Sequence, residues 1–138
     1  VENNFTIWTK RILLLIGGAI TTILGGWDML LKTLVGLVIA DYILGVTAAG
    51  INSEVNSRVG FKGIFKKVML FVPVGVAYSL DQVLESEILR NMAIWFYIGN
   101  EGISIIENLS KAGVPFPNFV KELLVQLKES SDKGEMIK

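Results

Sequence analysis

Apolar residues along this chain come in long blocks, where a β-strand would alternate every second residue and a surface helix would show a narrow stripe. Ile12 to Gly26 is an uncharged run of fifteen residues. Thr33 to Gly50 (TLVGLVIADYILGVTAAG) is broken only by Asp41, and Val68 to Leu84 (VMLFVPVGVAYSLDQVL) carries Asp81 in its last turn. A fourth block runs from Asn91 to Asn108. A helix needs roughly 20 apolar residues to cross about 30 Å of hydrocarbon, and the first block reaches that length through its flanks. Trp8 and Trp27 lie nineteen positions apart, as interfacial aromatics would, and Lys10 and Arg11 snorkel toward headgroups. The pattern predicts an all-α membrane protein with about four transmembrane helices arranged as two hairpins, over about 9–27, 33–50, 68–84 and 91–108. Pro73 and Gly75 predict a kink in the third. For the first block a re-entrant or surface-lying segment is the alternative. A cleaved signal peptide is the weaker reading, because no small-residue cleavage site follows and three more apolar blocks do.

Between the two pairs lies INSEVNSRVGFKGIFKK, Ile51 to Lys67, in which Arg58, Lys62, Lys66 and Lys67 face the single acid Glu54. A basic segment of this kind stays cytoplasmic and sets topology. The N-terminal end holds two basic residues, this loop four and the C-terminal tail five, out of thirteen in the chain. Four spans with both termini inside place all of these in the cytoplasm, leaving short outer turns at Trp27 to Lys32 and Glu85 to Arg90. The expected division is a transmembrane domain over 1–111 and a cytoplasmic amphipathic tail over 112–138. In the tail, AGVPFP (Ala112 to Pro117) breaks the helix and Asn118 caps a new one. Its apolar face of Phe119, Val120, Leu123, Leu124 and Leu127 stands opposite Lys121, Glu122 and Lys128, which suits the inner membrane surface or a neighbouring subunit. Glu129 to Lys138 reads as a frayed end.

Composition narrows the function classes. At 138 residues, 51% hydrophobic and a mean hydropathy of +0.54, the chain is a single domain too apolar for an ordinary soluble fold. Thirteen basic and thirteen acidic residues cancel, which argues against nucleic acid as a partner. The absence of Cys and His excludes disulfides, Cys/His zinc sites and chemistry resting on either side chain. No arrangement of nucleophile, base and metal ligands is present, so the expectation is a non-enzyme without cofactor or metal. The glycines at 17, 18, 25, 26, 99 and 102 read as packing positions, since none follows a strand or precedes a Lys-Ser/Thr pair.

The candidate functional residues are the polar ones inside the spans. Asp41, Gly45, Ala48 and Asn52 share one face of the second span, where small residues permit close helix approach. On the fourth, Tyr97, Asn100, Glu101, Ser104, Glu107 and Asn108 fall together with Arg90 and Lys111, opposite Trp95, Ile98, Gly99, Gly102, Ile106 and Leu109. An unpaired intramembrane charge costs several kcal/mol, so this face meets water or protein. Two readings stay open: a pore wall in an oligomer, or a polar packing face bonded within or between subunits. Asp41 and Asp81 are likewise either proton-relay carboxyls or structural partners. A buried ion pair with Glu101 requires Arg90 or a loop lysine to reach inward, since Lys32 near the outer interface is the one basic residue within a span.

The run from Asp41 through Gly45 and Ala48 to Gly60, Gly63 and Lys67, followed by NEGISIIENLSKAGVPFP (Asn100 to Pro117) and an amphipathic tail, resembles the toxin secretion/phage lysis holins. The resemblance covers about Thr33 to Leu127 and leaves the first span without a matching motif. It rests on a G-x-x-G-x-x-x-K block (Gly60, Gly63, Lys67) and an E-x-x-S-x-x-E-N block ahead of G-x-P-x-P (Glu101, Ser104, Glu107, Asn108, Gly113, Pro115, Pro117). The resemblance implies a pore former of the bacterial inner membrane that acts with lipid and with copies of itself, and that releases an endolysin or a large toxin. The residues alone also allow a small ion channel or transport accessory, or a membrane scaffold that recruits a partner through its tail.

Overall fold

The computed structural model describes residues 3–51 and 57–135, with 57–59 described by backbone alone. Among these residues six helices follow in order: α1 Asn4–Ile23, α2 Met29–Ile51, α3 Ser57–Met69, α4 Phe71–Leu84, α5 Ile88–Lys111 and α6 Asn118–Asp132. Among the described residues there is no strand. Three stretches of the described residues are long and apolar enough to cross a membrane: Asn4–Ile23, Met29–Ile51 and Gly60–Leu84. At 24 residues, α5 has the length of a span, about 36 Å at 1.5 Å per residue, but it is more polar.

The expected basic loop is largely helix. From Ser57 onward its backbone forms α3, and α3 runs into α4 through Leu70, whose φ and ψ of −66° and −20° are still helical. The interruption falls at Leu70, close to one turn before Pro73. The ring of Pro73 crowds the carbonyl four residues earlier, on Met69, and offers it no N–H. Lys62 and Lys66 project outward and Lys67 is half-buried. The side chain of Arg58, and Asn52 and Glu54 altogether, lie outside the described residues.

The α1–α2 and α4–α5 turns are tighter than expected. Leu24 ends α1, Gly25 takes a φ of +83° and its N–H donates to the Thr22 carbonyl while that of Gly26 donates to Thr21. This left-handed closure suits glycine. Asp28 then caps α2, its Oδ1 accepting the Leu31 N–H at 2.9 Å, so α2 begins four residues before the expected span.

Helix α5 is the central element and packs against α2, α4 and α6. On α2 the buried residues Leu31, Leu34, Val38, Asp41 and Ala48 recur at steps of three, four and seven, along one face. Leu31, Leu34 and Val38 meet Leu70, Val74, Ile94 and Ile98 in the core. By contrast α1 buries none of its residues. Helix α6 lies back along α5 of its own chain. A Cβ built on Gly99 would stand 2.9 Å from the Leu124 carbonyl oxygen, and one on Gly102 would stand 2.8 Å from a Leu124 methyl. The missing side chains open the groove that Leu124 and Lys128 occupy.

Candidate functional site: a buried ionic cluster

The 3–4 spacing on α2 that buries Leu31, Leu34 and Val38 also turns Asp41, Gly45 and Ala48 toward α5, because residues at those steps share one helix face. Asp41 is 4% exposed. On α3, Gly60, Gly63 and Lys67 share a face in the same way. Cβ atoms added at either glycine would lie 3.7 Å from the Tyr42 ring or hydroxyl, so α3 rides on Tyr42 of α2. That approach carries Lys67 into the bundle. From α5, Glu101 and Asn108 reach the same point, being two turns apart on one face.

The four side chains form one network. The Lys67 ammonium donates to Asp41 Oδ2 at 2.5 Å and to Glu101 Oε2, and the Asn108 amide donates to Asp41 Oδ1 at 2.9 Å. Glu101 is 2% exposed. One cation thus serves two buried carboxylates, and the amide supplies the remaining donor. Among the described residues no buried side-chain nitrogen or oxygen lacks a partner. Removing one member of a buried ion pair costs about 3–5 kcal/mol, since it strands the other charge. The loop lysine that Glu101 requires is therefore Lys67, a residue whose expected role was to set topology from the cytoplasmic side. The signal in the sequence was the shared face of Gly60, Gly63 and Lys67.

A second polar cluster closes the far end of α5. Asp81, 2% exposed, accepts the backbone N–H groups of Leu89 at 3.0 Å and Arg90 at 2.7 Å, so its carboxylate caps the N-terminus of α5. The Arg90 guanidinium, expected in an outer turn, is buried. It donates through Nε to the Leu24 carbonyl at 2.6 Å and through its terminal nitrogens to both oxygens of Asp28, the nearer at 2.6 Å. Gly25 must be glycine here twice over, because a Cβ would fall 2.6 Å from both Arg90 Nε and the Tyr78 ring. The Arg90 hydrogen bond holds the Asp28 carboxyl below its ordinary value, although partial burial works the other way. Sequence reasoning missed Asp28. Its position immediately before the apolar run of α2 was the available cap signal.

The remaining residues of the α5 polar face are not drawn into one site. Tyr97 is half-buried against the core and meets Phe96 edge to face, with ring centroids 5.2 Å apart. Asn100 and Ser104 are half-buried, and Glu107 is exposed. Gly45 faces Asn108, its built Cβ 3.5 Å from the amide nitrogen. Among the described residues no three acidic side chains converge as a metal site would require.

A chain with three spanning-length apolar stretches whose buried charged groups are all hydrogen-bonded is built for lipid. Comparison with known sequences agrees. Residues 18–129 match the model of a bacteriophage holin family. An uncharacterised protein of Halalkalibacterium halodurans is 41% identical over 132 residues, 91% of this chain and 96% of its own length. An uncharacterised protein of Clostridium perfringens is 38% identical over 128 residues, 91% and 95% of the two chains. A probable holin of Bacillus phage phi105 is 35% identical over 98 residues, 70% and 73%. No solved structure matches. The family match covers α2 through most of α6 and so takes in all four members of the Lys67 cluster, and on that ground the chain belongs to the bacteriophage holin family.

Proposed function

We propose that this protein is a holin-type pore former, whose subunits accumulate in the bacterial inner membrane, associate and open holes through which an endolysin or a large toxin reaches the wall. Membership of the family supports the permeabilising role. The observation that carries the reading is the lateral surface. Leu13, Leu14 and Leu15 of α1 and Val72, Val76 and Val83 of α4 are all exposed, while Asp41, Glu101 and Arg90 are withdrawn into the bundle. That is the inverse of a soluble protein and fits a subunit surrounded by lipid and by its own copies.

Helices α1, α2, the α3–α4 pair and α5 serve as four spans, with the α1–α2 and α4–α5 turns on the outer side and the basic α2–α3 connection in the cytoplasm. Both ion clusters act within the subunit. Of the two roles open to the α5 polar face, packing is supported by the Lys67–Glu101 and Asn108–Asp41 bonds. The reading is non-enzymatic, and the released cargo is a folded protein.

Controlled expression in a bacterium tests it, following respiration, viability and release of a cytoplasmic enzyme. Abrupt release of folded enzyme together with loss of respiration is the expected result. Leakage of ions without protein would replace the holin reading with a narrow channel.

A further inference from the structure

The two ends of α6 lie at opposite ends of α5. Leu124 and Lys128 sit on Gly99 and Gly102, midway along α5. Farther on, Leu127, Ser131 and Glu135 line a cavity with Glu87, Ile88 and Asn91 at the start of α5. That start is the end tied by Arg90 and Asp28 to the α1–α2 turn. With 15 residues α6 is about 22 Å long, most of the roughly 30 Å of hydrocarbon. It therefore runs at the same depth as the spans.

One strip of its outward surface, beside the exposed Phe119 and Leu123, is wrong for lipid. Asn118, Glu122, Gln126, Glu129 and Lys133 recur at three- and four-residue steps, all exposed, directly opposite the side turned to α5. Each charge at that depth in hydrocarbon costs several kcal/mol. Lys67 and Arg90 do not neutralise this face, since Lys67 is engaged by Asp41 and Glu101, and Arg90 by Asp28.

Resting on the pore reading above, we propose that α6 stays docked on α5 in the membrane and that its face of Glu122, Gln126 and Glu129 is the wall that meets water within the bilayer. In this arrangement α5 is the strut behind the wall, its Glu101 and Asn108 being turned to the other side. The amphipathic helix forms the lumen surface of each subunit, and the C-terminal end of α6 stands at the outer side. A cytoplasmic C-terminus, expected from the distribution of basic residues, would require α6 to leave α5.

The natural absence of cysteine makes the test direct. The full chain carrying Gly102→Cys with Leu124→Cys, and separately Asn91→Cys with Ser131→Cys, is oxidised in native membranes; both pairs should cross-link within one chain. The second pair leaves the glycine groove untouched, so a packing defect at Gly102 does not obscure the result. In intact cells before any leakage, Lys133→Cys should react with an impermeant thiol reagent and Asn118→Cys should react only after the membrane is opened. A spin label at Gln126→Cys in the purified chain in lipid vesicles should be relaxed by a water-soluble nickel complex, whereas one at Ile43→Cys should respond to oxygen in the lipid. Failure of both cross-links, both ends of α6 reacting from one side, or a lipid-facing Gln126 label would each overturn the proposal. None of these measurements depends on cell leakage, so they fail separately from the pore reading.

Discussion

Lys67 bears the greatest consequence of any single residue, because both Asp41 and Glu101 depend on its ammonium. Lys67→Met keeps the length of the side chain and strands two buried carboxylates. The expected loss is about 3–5 kcal/mol, read as a lowered unfolding midpoint in detergent. Glu101→Gln in the same background should recover part of it, since one carboxylate fewer is left unpaired. Glu101→Gln alone should be mild, because Lys67 and Asp41 then balance one to one. At the other cluster Asp28 titrates from a lowered folded value. A carboxyl shifted down stabilises the folded form above its unfolded pKa, ordinarily 3.8, and the contribution fades as pH falls through the lower folded value. The side chain is 46% exposed, so solvent screens the effect and keeps it small. In a Trp8→Phe, Trp95→Phe variant, which keeps only the neighbouring Trp27, fluorescence should stay constant from neutral pH down to about 4 and change below that. Asp28→Asn should abolish the transition.

Two helix contacts depend on the small size of particular residues, and they differ in tolerance. Gly102 already stands where a Cβ would press on Leu124, so Gly102→Leu forces α6 off α5. Overpacking of this kind costs about 1–3 kcal/mol, and faster proteolytic cutting in the 112–117 connection would report it. At Gly45 the built Cβ makes an ordinary contact of 3.5 Å with Asn108, so Gly45→Ala should be neutral. Gly45→Leu should displace the Asn108 amide from Asp41 and disrupt the α2–α5 seam. If Gly45→Leu unfolds at the wild-type midpoint, that seam is looser than the packing implies.

Across the whole molecule, burial is uneven: α5 is enclosed by α2, α4 and α6, and α1 touches the rest mainly at its C-terminal end. Ile23 and Leu24 meet Gly75, and the Leu24 carbonyl accepts from Arg90. Deleting residues 1–18 should therefore leave the remaining helices folded, with an unchanged unfolding midpoint, while impairing assembly or opening through loss of an apolar surface that faces lipid and neighbouring copies. Gel filtration with release of a cytoplasmic enzyme would separate the two effects. A collapse of the fold on this deletion would mean that α1 packs more widely than its exposed surface indicates.

The apolar blocks and the Pro73 break were legible because each acts on its own neighbourhood, whereas the helix at Ser57–Met69 and the Asp28 cap were not read from the chain. Asp41, Gly45 and Ala48 were legible as one packing face for the same reason, and the G-x-x-G-x-x-x-K and E-x-x-S-x-x-E-N spacings pointed to the family. Partner choice was not local. Whether Glu101 meets water or a cation depends on where Lys67 arrives, 34 positions away in sequence, and that follows from α3 continuing into α4 and riding on Tyr42. Asp81 was readable as a buried acid but not as the cap of the next helix, since its two acceptor bonds form only when the α4–α5 turn closes. Gly99 and Gly102 likewise read as packing positions on the helix alone, with no partner indicated. Only tertiary packing, by filling their groove with Leu124, decided that a second helix covers it.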